Sequence, residues 1–355
     1  MASWSLVSPL GAAALLGAAL LLPGSAWLSL LCAVALIAAV LAAVHHAEVI
    51  AHRLGEPFGT LVLALAVTVI EVALILSMML AGGPDKATLT RDTIFSTLMI
   101  ICNGVVGLCL LVGGIRHREQ LFRVEGASTS LTTLIAMATL TLVLPRFTTS
   151  TPEASYSPPQ LAFAAAMSLL LWLIFIFVQT VRHRDYFLPQ VDADHDDAHA
   201  APPSNGQAWA SAALLLIALV AVVGLAKVLS PQIEAALEAA GAPPAVLGIA
   251  IAMLVLSPET VAAVRAARAN RLQTSLNLAY GSALASIGLT IPAVAVASLA
   301  FELPLLLGAD AKELVLLLLS FLISSLTLAL GRTHAMQGAV HLVIFAAFLF
   351  LALVP

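Results

Sequence analysis

Apolar residues run almost unbroken for about twenty positions at a time, again and again, from one end of the chain to the other. A helix needs that length to cross the roughly 30 Å hydrocarbon core of a bilayer. Polar residues gather between the runs rather than recurring within them. The pattern predicts eleven spans, at roughly 5–22, 27–47, 58–81, 93–115, 127–144, 160–181, 208–230, 244–264, 274–300, 311–330 and 335–354. The breaks hold Pro23-Gly24, Gly82-Gly83-Pro84, Pro145, Pro158-Pro159, Pro202-Pro203 and Pro243-Pro244, residues that interrupt helices. The first run lacks a basic leading segment, so it is read as a retained span and not as a signal peptide.

Composition strengthens this picture. The chain is 61% hydrophobic and 10% charged, where a soluble domain carries about 25% charged residues. Its partners are therefore a lipid bilayer and whatever crosses it; nothing points to a nucleic acid, and a homo-oligomer is allowed. Of fifteen Lys and Arg residues, ten fall in loops on one side. The excess of basic residues marks the cytoplasmic side, which puts the N-terminus in the cytoplasm and the C-terminus outside, in a bacterial inner membrane. Cys32, Cys102 and Cys109 all lie inside apolar runs, and the spacing of the last two along one helix forbids a bridge between them.

One loop stands apart. After span six, Asp192, Asp194, Asp196 and Asp197 interleave with His195 and His199. Such a segment cannot bury a core and reads as a solvated linker; a weak cation or pH sensor is the alternative, although the EF-hand pattern is missing. The loop, 187–206, divides the chain. Residues 1–25 form an extra N-terminal span, 26–186 a first group of five spans and 207–355 a second. Five is odd, so equivalent spans cross the membrane in opposite senses. The predicted fold is an all-α polytopic membrane protein of eleven transmembrane helices, one extra helix plus two inverted five-helix repeats. In such proteins the ion site lies between the repeats near mid-membrane.

The second span of each group carries a lone acid, Glu71 in one and Glu259 in the other. No other carboxylate is read as lying deep within a span. A charge there costs about 2.5–3.5 kcal/mol on insertion scales, so intramembrane acids are functional by default. Glu259 follows a proline in "LSPET". Pro258 has no N–H, so the Leu254 carbonyl is expected to lose its helical partner and to await another donor or a cation. The stretch would then offer that carbonyl, the Ser257 hydroxyl and the Glu259 carboxylate, hard oxygens suited to Ca²⁺ and, by extension, Na⁺. Thr68, three residues before Glu71, places a hydroxyl on the same face. The following span of each group adds polar residues beside small ones: Asn103 with Gly104 and Gly107, and Asn277, Ser282 and Ser286 with Gly281 and Gly288. Depth is awkward. Glu71 lies about 20 Å from the cytoplasmic start of its span and Glu259 about 9 Å from the cytoplasmic end of its own. Either Pro258 shifts the register or span eight runs on past Arg265.

The stretches "HHAEVIAHRLGEPFGTLVLALAVTVIEVALI", "LVLSPE" and "NLAYGSALASIGLTIP" resemble the calcium/sodium/potassium–proton antiporters of the calcium/cation antiporter superfamily, on its cation/proton exchanger branch. The resemblance covers nearly the whole chain. It implies that Glu71 and Glu259 are the cation and proton sites. The family's first signature reads glycine-asparagine-alanine-x-glutamate, where this chain has Val67, Thr68, Val69, Ile70 and Glu71; the second matches Val255, Leu256, Ser257, Pro258 and Glu259. Both asparagines are replaced, which leaves fewer amide oxygens. In the helix that follows, the family places an asparagine after a serine where this chain has Cys102-Asn103, while Gly281-Ser282-Ala283 matches the second-half pattern.

The expected function is exchange of cytoplasmic Ca²⁺ for protons by alternating access, with Na⁺ or K⁺ as the alternative cargo on the same fold and a channel as a remoter one. No resident cofactor is read, only the transported cation and H⁺. The ligand set read from the residues is Glu71, Glu259, Thr68, Ser257, Asn103, Ser282 and Ser286, with both glutamates coupling protons. No nucleophile–base pair is spaced for an enzyme. A second group, His45, His46, Glu48 and His52 with Arg53 and Glu56, sits near the end of span two. It reads as a hydrated helix end or as a pH-sensing gate. His334 and His341, in or near the last span, are candidates for a proton path.

Overall fold

The computed structural model describes residues 3–22, 26–54, 58–151, 154–188, 203–241, 243 and 245–354. The acidic stretch with Asp192, Asp194, His195, Asp196, Asp197 and His199 lies outside them, as does Glu56. The helices in chain order are α1 (Ser3–Leu21), α2 (Ala26–Leu54), α3 (Phe58–Gly82), α4 (Leu89–Met99), α5 (Val106–His117), α6 (Val124–Ala138), α7 (Pro158–Phe177), α8 (Asn205–Ala239), α9 (Ala245–Arg268), α10 (Leu272–Ala285), α11 (Ile291–Phe301), α12 (Ala311–Leu328) and α13 (Ala335–Leu353). Pairs α4/α5 and α10/α11 are each one continuous rod, joined by π-helical turns at Ile100–Val105 and Ser286–Thr290. Among the described residues ten helical stretches are long and apolar enough to cross a membrane, and a shorter apolar stretch, Leu65–Leu80, lies in α3. The chain is an all-α polytopic membrane protein.

Several helices outrun the apolar runs that predict them. α2 continues to Leu54 and α8 to Ala239 through Pro231, because alanine and leucine hold a helix beyond the hydrocarbon. The chain turns out of α8 only at Gly241, at φ +63°, where glycine accepts the left-handed backbone at no cost. The turn Ser286–Thr290 has a local cause. Pro292 supplies no N–H for the carbonyl four residues back and crowds it, and a widened turn relieves both.

Contacts divide the chain into two compact units, Met1–Lys86 with Asp196–Ala242, and Ala87–His195 with Pro243–Pro355. Each takes spans from both sequence groups. In the first unit α2 packs on α1, α3 and α8. Small residues face each other there: Ala39, Ala42 and Ala43 of α2 and Ala218, Ala221 and Ala226 of α8 are fully buried, the close backbone approach that membrane helices use in place of a hydrophobic drive. In the second unit α13 packs on α5, α9 on α4, α5 and α10, and α7 on α11.

A two-stranded antiparallel ribbon is a feature of the second unit that no apolar pattern announces. β1 (Glu119–Leu121) pairs with β2 (Arg332–His334), with Gln120 opposite Thr333. The buried Gln120 side chain donates from Nε2 to Ala267 O at 2.8 Å and to Asn270 Oδ1 at 3.0 Å. The ribbon thus ties together the loops that leave α5, α9 and α12. Strands of three residues are too short to show period-two alternation.

Candidate functional site

In the first unit, α3 turns Val67, Thr68, Ile70, Glu71, Leu74 and Ile75 inward and leaves Leu65 and Val69 exposed. Glu71 is 4% exposed and Thr68 5%. The helical repeat accounts for this, since i and i+3 share a face. A carboxylate placed on the protein-facing side of a membrane helix avoids lipid, as an acid kept for function must.

The histidine group lies in the same unit and is drier than a hydrated helix end would be. His46 is fully buried. Its Nε2 lies 2.8 Å from Ser5 O and its Nδ1 3.2 Å from Ser211 Oγ. A carbonyl only accepts, so Nε2 carries the hydrogen. His46 is therefore a buried brace between α1, α2 and α8, and the hydrated-end reading fails for it. His45 is half-buried, with its ring 5.2 Å from that of Trp4. Glu48 and His52 are exposed on α2. Arg53 donates to Asn205 Oδ1 from two nitrogens, at 3.0 and 2.6 Å.

In the second unit, α9 carries Glu259 and Ser257, both half-buried. The helix runs without a break through Pro258 and ends at Arg268. The register-shift alternative is therefore not realised, and the extension past Arg265 is. The Leu254 carbonyl is not left open as the sequence led us to expect. Ser257 Oγ donates to it at 2.8 Å, so the hydroxyl counted as a ligand replaces the N–H that proline lacks. Thr260 Oγ1 bonds Leu256 O in the same manner at 2.7 Å.

Asn103 sits in the π-helical turn between α4 and α5 and is fully buried. Its amide is already engaged: Nδ2 donates to Ser320 Oγ at 2.7 Å, and Oδ1 lies 3.2 Å from His341 Nδ1. Its role as a cation ligand is not what this geometry offers. On the next rod, Ser282 is half-buried in α10 and Ser286 is buried at the start of the second π-helical turn. Asn277 has a structural task, donating to Phe187 O at 2.6 Å while accepting from Gln273 at 2.9 Å.

Two acids escaped the sequence reading. Asp92, in the first turn of α4, and Glu313, in the first turn of α12, are buried. Arg91 joins them: Nε lies 2.8 Å from Asp92 Oδ1 and 3.8 Å from Glu313 Oε2. Thr88 donates to Asp92 Oδ2 at 3.0 Å, and the Asp310 N–H to Glu313 Oε2 at 2.8 Å. The signal was present, an Arg-Asp pair at one span edge and Glu313 near another. The sequence reading puts the first edge in a loop, and Glu313 at the start of the span 311–330, where it is not read as deep.

Helices of this kind, with buried acids and π-helical turns within the spans, define a polytopic membrane transporter. The sequence matches the family described as sodium/calcium exchanger protein over residues 24–181 and 210–354, and the chain belongs to that family. It is 47% identical, across 99% of its length and 96% of the relative's, to y4hA of Sinorhizobium fredii, provisionally named an ionic transporter. It is 36% identical, across 94% of its length and 90% of the relative's, to the sodium-potassium/proton antiporter ChaA of Escherichia coli. Its fold resembles that of native YfkE, with a TM-score of 0.73 at 18% identity over 99% of this chain and 100% of that one. It also resembles the H⁺/Ca²⁺ exchanger CAX, at 0.70 and 15% over 98% and 89%.

Proposed function

We propose that this chain is a cation/proton antiporter of the bacterial inner membrane, carrying Na⁺ or K⁺ against H⁺ by alternating access. Glu71 and Glu259 are the groups at which cation and proton compete. In a dry interior a bare carboxylate is costly, so each takes either a proton or a metal ion. Exchange follows if the protein forbids reorientation of the empty site. Two inverted five-helix repeats, 26–186 and 207–355, with residues 1–25 apart and the N-terminus in the cytoplasm, fit this scheme.

The observation that favours a monovalent cargo is the loss of neutral donors. Ca²⁺ asks for six to eight oxygens, and the Leu254 carbonyl and the Asn103 amide both have partners within the protein. The 36% identity to an antiporter named for sodium and potassium agrees. Ca²⁺ is the second reading. Two carboxylates match its charge, and a Ca²⁺/H⁺ antiporter of Aphanothece halophytica is 24% identical over 76% of this chain.

Proteoliposomes with an imposed pH gradient and dyes for Na⁺, K⁺ and Ca²⁺ test the proposal. Cation movement that collapses the gradient, and is lost in Glu71→Gln and Glu259→Gln, is expected. Full exchange in either variant would remove that glutamate from the scheme, and cation flux without proton movement would make the protein a channel.

A further inference from the structure

His341 lies in the middle of the last helix, α13, and is fully buried. It belongs to a set of hydrogen bonds, with the Cys102 carbonyl and the Met99 sulfur at its margin, whose proton positions can be followed in the neutral imidazole. Ser320 Oγ donates to Leu316 O at 2.7 Å. Its only hydrogen is thereby used, so toward Asn103 it accepts, from Nδ2 at 2.7 Å. That fixes the amide orientation and turns Oδ1 to His341. An amide oxygen only accepts, so His341 Nδ1 carries the hydrogen across the 3.2 Å contact. In the neutral imidazole His341 Nε2 is then a lone pair and accepts from Thr327 Oγ1 at 3.2 Å. Every polar atom of the neutral imidazole and of the Asn103 amide is thus matched. The seat itself is cut to size: a methyl at Gly107 would come within 2.9 Å of His341 Cβ.

These bonds join three elements, the turn Ile100–Val105, α12 and α13, in one register. The wall they hold matters because α9, which carries Glu259 and Ser257, packs against that same turn, and so does α10, which carries Ser282. A π-helical turn has poorer internal bonding than an α-helix and is held by what surrounds it.

We propose that His341 is a positioning residue for the exchange. In its neutral Nδ1–H tautomer it clamps Asn103, and through Asn103 the turn against which the Glu259 helix is set. Asn103 is on this view the clamped part and not a ligand of the cargo. The inference rests on the reading of Glu259 as a cation and proton site.

The test uses the full-length protein in proteoliposomes, with Na⁺ as the probe ion and K⁺ and Ca²⁺ run in parallel. In His341→Leu the half-saturating cation concentration rises about tenfold, the effect of losing one buried hydrogen bond, while the maximal rate changes less. Asn103→Leu does the same, and the double variant is no worse than either single one, as expected of residues acting as a unit. Unchanged half-saturation in folded His341→Leu, or additive losses, would overturn the proposal. Should the leucine variants fail to fold, His341→Asn and His341→Gln decide. Asparagine puts an amide N–H near the Nδ1 position and glutamine near the Nε2 position, so the asparagine variant must keep the tighter half-saturation. Equal values or the reverse order overturn the clamp. A parallel Glu259→Gln protein separates the two levels: full exchange in it removes the underlying reading, whereas its loss beside an unaltered His341→Leu removes only the role of the histidine.

Discussion

Where α13 passes the turn Ile100–Val105, the Phe345 ring lies over Gly104 beside an imidazole hydrogen-bonded on both sides; where α7 passes the turn Ser286–Thr290, the contact is an indole. Trp172 lies so close to the second turn that a methyl at Gly288 would meet its Cβ at 2.5 Å. Both crossings press a large ring against a backbone thinned by glycine. One presents a broad apolar ring, and the other requires four polar side chains to be aligned. Shape tolerates small slips of one helix along another, whereas a buried amide that slips leaves donors without acceptors in a medium that supplies none. The first turn is therefore fixed in register and the second is held by packing.

The strongest way to break this contrast is at the indole. Trp172→Ala removes the whole contact and leaves a cavity, with an expected loss of about 3 kcal/mol or more, read as a fall in the thermal midpoint in detergent. A loss below that of the histidine variants would mean that packing does not dominate the second crossing. Next, His341→Phe makes both crossings apolar. Asn103 and Thr327 lose their partner, and the expected cost is about 1–3 kcal/mol; a midpoint equal to the parent's would show that the hydrogen bonds add nothing. Gly107→Ala tests the seat with one methyl and is expected to cost about 1–2 kcal/mol. Gly281→Ala, where no atom lies within 4 Å of the added carbon, serves as its neutral partner, and equal losses in the two would discard the close-approach argument. The smallest effect belongs to a site outside either crossing. Ser257→Ala removes the hydroxyl that donates to the Leu254 carbonyl and should cost about 1 kcal/mol, with no change in melting as the contrary result.

The sequence made the spans legible because a bilayer demands apolar length, and no competing signal imitates an uncharged, mostly apolar run such as Leu161 to Val178. It also singled out Glu71, whose inward face is confirmed by its burial. Ser257 was visible, but its local partner was not read: a hydroxyl one residue before a proline donates to the carbonyl that proline orphans. The Asn103–His341 contact was out of reach for another reason. Its partners stand 238 residues apart, and nothing local in a lone histidine says which helix it will face. Asp92 was hidden by a boundary. Placing the span at 93 put the acid in water, while Arg91 keeps it within the helix bundle.

The ribbon of β1 and β2 has a bearing on how the protein is made. The segment Glu119–Leu121 leaves the ribosome more than two hundred residues before its mate, Arg332–His334. At 5–20 residues per second it waits roughly 10–40 s with its backbone amides facing water. The loops after α5 and α9 can meet earlier through Gln120, but the ribbon that adds the loop after α12 forms only once Arg332–His334 has been made, so this edge of the second unit is completed from its C-terminal side.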